Sequence, residues 1–138
     1  MPFRHPDRSH DLATRIEHEV RERLEEAIDF VCLDALVTAR RARGLPAPAA
    51  DNDADRVEYG RHVLAFLRLL DAEVPPPDLA CRAGGDEEAG LLAGQVARAR
   101  ALPEYWQRFE AVAARYLAEP PPSGGERRGV LARLFGGR

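Results

Sequence analysis

The chain contains no lysine; all twenty of its basic side chains are arginine. That absence removes Schiff-base chemistry, a lysine general base and any GxxxxGK phosphate loop. Serine is almost as scarce, with only Ser9 and Ser123, one in an N-terminal arm and one in a linker. Neither position is expected to host a Ser-His-Asp arrangement. The two cysteines, Cys32 and Cys81, are too far apart to form a metal or redox motif, and such sparse usage fits a reducing compartment. No apolar run approaches the roughly eighteen residues needed to span a bilayer. The opening Met1-Pro-Phe-Arg-His-Pro-Asp7 has no apolar h-region, so a cytoplasmic protein is expected. With a net charge of −3 and acids spread along the chain, nucleic acid is not an expected partner.

What is present is helical periodicity throughout, and 138 residues suffice for one hydrophobic core. A first helix is predicted from about Asp11 to Arg43, with Ile16, Val20, Leu24, Ala27, Ile28, Val31, Ala35 and Ala39 at three- and four-residue spacing. Its second half, Phe30 to Val37, is apolar nearly all round and is expected in the core. Gly44 stops it, and Leu45-Pro-Ala-Pro48 makes the connection. A second helix begins within Asp51–Asp55 and runs to about Glu73, where Pro75-Pro-Pro77 follows. A third covers about Asp86 to Ala101, with Gly90 and Gly94 allowing close approach of another backbone. Pro103 opens a fourth, reaching about Ala118 and carrying Tyr105, Trp106 and Phe109 as core anchors or, alternatively, as a partner hot spot. The expected fold is all-α: an irregular four-helix bundle over residues 1–119, a Pro/Gly linker over 120–125 and a tethered amphipathic tail over 126–138.

Sites with chemistry are few. His18, Glu22, Glu25 and Asp29 share one face of the first helix, and Glu58 and His62 share a face of the second. Facing carboxylate and imidazole groups can cradle a metal, yet di-iron bundles use Glu-x-x-His pairs and the chain has none. Asp51-Asn-Asp-Ala-Asp55 opens like a calcium loop, but Arg56 stands at the position for Gly and His62 at the position for the last Glu. It reads as helix capping. No catalytic residue, metal or cofactor is expected. The first half of helix one presents the narrow stripe Ile16, Val20, Leu24 and Ala27, the expected seam of a homodimer.

The tail is the most distinctive segment. After Pro120-Pro-Pro-Ser-Gly-Gly125 comes a stretch with four bulky apolar side chains, Val130, Leu131, Leu134 and Phe135. At about 100° per residue these fall in one arc, with Gly129, Arg133 and Gly136 opposite. Arg127 and Arg128 lie at its start, where long stems can reach phosphate level. Residues 126–138 carry four Arg and one Glu, a formal +3; residues 1–125 carry sixteen Arg and twenty-two acids, a formal −6. An anionic surface would attract the tail and repel the body.

On Arg127, Arg128, Gly129, Leu131, Arg133, Leu134, Phe135, Gly136 and Gly137, the tail resembles the C-terminal membrane-targeting sequence of the division-site ATPase MinD. It departs at Val130, where an aromatic would insert more deeply, and at Ala132, where a further basic residue is common. Residues 1–119 share nothing with that family. The resemblance implies reversible binding to anionic lipid. The expected function is a non-enzymatic helical adaptor, peripheral to the inner membrane surface, with an unidentified protein partner. Two alternatives stand beside it: a cargo or assembly factor whose tail docks into a protein groove or shell, and a metal-binding bundle enzyme.

Overall fold

The computed structural model describes residues 8–77 and 86–119, with side chains from Leu12 onward. Four helices make up this part: α1 (Arg8–Ala42), α2 (Asp53–Glu73), α3 (Glu87–Ala101) and α4 (Tyr105–Ala118). Among the described residues there is no strand, and no helix is long and apolar enough to cross a membrane. The expected linker over 120–125 and tail over 126–138 lie outside the described residues.

Local chemistry sets the helix ends. Gly44, at φ 73°, takes the left-handed conformation that an L side chain resists. It turns the chain so that Gly44 N–H donates to the Arg41 carbonyl at 3.0 Å and Leu45 N–H to that of Arg40 at 2.9 Å. Both bonds satisfy carbonyls that the end of α1 would otherwise leave open. Asn52 caps α2 by accepting from Asp55 N–H at 3.0 Å, and Asp86 caps α3 by accepting from Glu88 N–H at 3.1 Å. Asp53, Asp55, Glu87 and Glu88 put negative charge in the first turns, where the helix dipole favours it.

Long-range contacts define the topology. Arg40 meets Asp55 and Tyr59 meets Asp29, so α1 and α2 form an antiparallel hairpin. Arg68 pairs with Glu87, and Arg98 donates to the Pro75 carbonyl; α3 therefore runs in the same direction as α2. The close of α3 comes to the first half of α1 through Arg100 and Glu17. α4 then returns along the bundle, with Tyr105 on Gln95, Phe109 on Phe66 and Tyr116 on His62.

The core is built on Phe66, which is fully buried. The Phe109 ring stands edge-on to it at 5.5 Å and the Tyr116 ring at 5.3 Å. Leu24, Ile28, Cys32 and Ala35 of α1 close over this cluster. Trp106 is half-buried against Tyr105 and Phe109, and the Arg23 guanidinium lies 4.0 Å above its ring. The aromatics of α4 are thus core anchors. Gly90 and Gly94 are buried in α3.

Two expectations about α1 are corrected. The segment from Phe30 to Val37 is not enclosed: Val31, Cys32, Ala35 and Leu36 point inward, whereas Phe30 is 76% exposed and Leu33 40%. At about 100° per residue Phe30 and Leu33 face away from Val31 and Ala35, and no other described helix covers that side. Conversely, Leu24 of the expected dimer stripe is 0% exposed, and Val20 and Ala27 pack against the same core; of the four only Ile16 is exposed. The stripe belongs mainly to the chain's own interior.

The two phenylalanines should therefore respond oppositely to truncation. Phe66→Ala should lower unfolding free energy by about 3–5 kcal/mol, while Phe30→Ala should stay within about 0.5 kcal/mol. Urea titration of both variants checks this, and a Phe30 effect as large as that of Phe66 would contradict the placement.

Candidate functional site

The polar chemistry of the described residues collects where α1 ends and α2 begins. The Arg40 guanidinium donates to Asp55 at 2.7 Å, to Glu58 at 3.4 Å and, through Nε, to the Pro46 carbonyl at 2.8 Å. The second Asp55 oxygen accepts Ala49 N–H at 2.9 Å. These bonds tie the 46–50 connection to the first turn of α2. Glu58 is buried, and its other oxygen lies 3.7 Å from the Arg43 guanidinium. Two like charges one turn apart are tolerated in this interior because arginines face both of them.

One turn further along α2, buried His62 pairs through Nδ1 with the Tyr116 hydroxyl at 2.6 Å. Among the described residues its Nε2 has no hydrogen-bond partner. Burial holds the imidazole below its ordinary pKa, and the Glu58 carboxylate only partly offsets that. His62 is accordingly neutral in the fold at pH 7. Burial also raises the Tyr116 hydroxyl out of the titrating range. Cys32 is buried, and burial together with nearby Asp29 and Glu88 pushes its thiol up to about 12, which leaves it without thiolate character.

Glu58 and His62 do share a face of α2, as their spacing indicates, but they face the interior. His18 and Glu22 pair with each other at 3.2 Å in solvent, and Glu25 is exposed. The two sets do not converge. Among the described residues no group of three or more His, Cys, Asp or Glu side chains is placed to hold a metal ion. The pairing of Arg40 with Asp55 and Glu58 was not foreseen. Its only trace in the sequence is an arginine in the last turn of one helix and acids in the first turns of the next.

Beside this polar layer opens a groove of about 360 Å³, with Leu33, Leu36, Pro48, Ala49 and Tyr59 as its apolar walls. Asp29 lies in the same wall and accepts the Tyr59 hydroxyl at 2.5 Å. Burial and that carboxylate raise the Tyr59 hydroxyl well above the usual phenol range. Phe30 lies one residue from Asp29 and, with Leu33, gives α1 an uncovered apolar side. Contiguous exposed apolar patches, more than single side chains, mark contact surfaces. Of the residues expected to bind a membrane or partner, Arg127, Arg128, Val130, Leu131, Arg133, Leu134 and Phe135 all lie outside the described residues.

The buried imidazole makes stability depend on pH. The unfolded chain takes up a proton near pH 6.5, whereas the folded chain does so only below that value. Its contribution is therefore complete above about pH 6.5 and is lost as pH falls, by up to about 1.4 kcal/mol per pH unit for one proton. Urea midpoints should drop between pH 7.5 and 5.5 in the parent chain and change much less in His62→Asn. Equal slopes would show that another group titrates in this window. No family model, curated protein or solved structure matches the chain.

Proposed function

We propose that this chain is a non-enzymatic helical adaptor, drawn peripherally to an anionic, cytoplasmic membrane surface by residues 126–138. The observation that carries the reading is the joint pattern of the tail: four bulky apolar side chains in one helical arc and a formal +3, joined by Pro120–Gly125 to a body of formal −6. The resemblance to the MinD targeting sequence points the same way. The body supports a binding role through its uncovered Phe30–Leu33 side, a surface for a protein partner. Among the described residues, Arg40 is engaged by two carboxylates, His62 by Tyr116, and Cys32 by a packed core.

Magnitudes make the attachment reversible. Full burial of four such side chains is worth roughly 1.5–3 kcal/mol each, and basic residues add about 1 kcal/mol each near an anionic surface. Ordering about ten residues costs roughly 1–2 kcal/mol each. One tail holds weakly, so residence at the membrane requires a second contact, from a partner or a second copy. With Leu24 in the core, a homodimer through the first half of α1 has mainly Leu12 and Ile16 to use.

Co-sedimentation of the full chain with phosphatidylglycerol and phosphatidylcholine vesicles tests this. The chain should pellet with the anionic vesicles only, and Leu134→Glu, which puts a charge in the middle of the apolar arc, should abolish pelleting. Equal pelleting of parent and variant would contradict the proposal.

A further inference from the structure

The groove at the α1–α2 junction is built for an amphipathic segment more than for a small molecule. Small-ligand sites place several free polar groups toward the ligand. Here the polar groups of the wall already engage one another: the Tyr59 hydroxyl with Asp29, and Asp55 with Arg40 and Ala49 N–H. What remains is an apolar trough; Phe30, one helical turn from Leu33 of its wall, is 76% exposed. Helix-in-groove recognition uses such a trough and reads apolar anchors at three- and four-residue spacing.

The chain around the groove is also net acidic. The two strips of chain around it, residues 26–37 and 48–59, carry seven carboxylates, set against Arg56 within them and Arg40, Arg41 and Arg43 between them, a formal −3. Arg40 engages Asp55 and Glu58, and Arg56 engages Asp53, so these charges largely offset one another; Glu26, Asp34 and Asp51 are exposed carboxylates outside those pairs. The occupant that fits is apolar along one face and cationic along another. One segment of this chain has that chemistry: residues 126–138, with Val130, Leu131, Leu134 and Phe135 at the required spacing and a formal +3.

We infer that the groove formed by Leu33, Leu36, Pro48 and Tyr59, with Phe30 at its edge, binds the chain's own C-terminal segment 126–138. Its apolar arc enters the trough, and Arg127, Arg128 and Arg133 meet the carboxylates around it. Lipid and groove then compete for the same four side chains. As a consequence, which rests on the membrane reading above, an anionic membrane takes the segment out of the groove and uncovers the Phe30 side for a partner.

The docking is tested without lipid. The full chain carrying Leu134→Glu, whose own segment no longer fits, is titrated against a fluorescently labelled peptide of residues 126–138. Anisotropy should rise with saturable binding, and adding Phe30→Asp should weaken it at least tenfold. Phe30 is exposed, so that substitution leaves the core intact, and circular dichroism of the variant verifies this. Absence of binding, or binding indifferent to Phe30→Asp and Leu33→Asp, would overturn the inference. The same peptide titrated with phosphatidylglycerol vesicles reads the membrane proposal separately, so either idea can fail without the other.

Discussion

The Arg40 guanidinium is the contact on which the α1–α2 end of the bundle depends. It satisfies Asp55 and Glu58 at once and holds the Pro46 carbonyl, while Asp55 holds Ala49 N–H. Through these bonds one side chain fixes the path of the α1–α2 connection and thereby places Pro48 and Ala49 opposite Leu33 and Leu36. The left-handed turn at Gly44 makes this geometry reachable by sending the chain back across the end of α1. Breaking such a buried pair from one side costs about 3–5 kcal/mol, against a typical net stability of about 5–15 kcal/mol. Without Arg40 the buried carboxylates would lose the cation that faces both of them, and the groove would lose its wall.

Much of the fold was legible because helices declare themselves locally. The ends came within a few residues from Gly44, Asn52, Asp86 and the prolines at 75–77 and 103, each of which acts on its own backbone. The inward stripe of Leu24, Ile28, Val31 and Ala35 follows from periodicity alone. Which neighbour covers a stripe does not. Phe30 and Leu33 look like core by composition but face away from the other described helices; Leu24 looks like a seam but is covered by its own chain. Asp29 and Asp34 at outward positions beside Phe30 were the available sign that this side of the run faces solvent. The Arg40 pairing joins residues fifteen and eighteen apart, a range at which local pattern is silent.

The body and the tail have complementary chemistry. An acidic bundle with an uncovered apolar side at Phe30 and Leu33 is followed by a cationic segment with one apolar arc. In the proposed account, that segment chooses between two surfaces, groove and bilayer, and its weak affinity for each makes the choice reversible. Linkage then requires that whatever occupies the groove from outside strengthens membrane binding by the same factor by which the membrane strengthens its own binding. A partner and a membrane would each promote the other without touching.

Hydrogen–deuterium exchange of the full chain, with and without phosphatidylglycerol vesicles, tests this central claim most directly. The account predicts that vesicles slow exchange in residues 130–135 and speed it in residues 29–37 and 48–59, where the segment leaves the groove. Slowed exchange in the tail with an unchanged groove would contradict the coupling, and an unchanged pattern throughout would contradict the account as a whole.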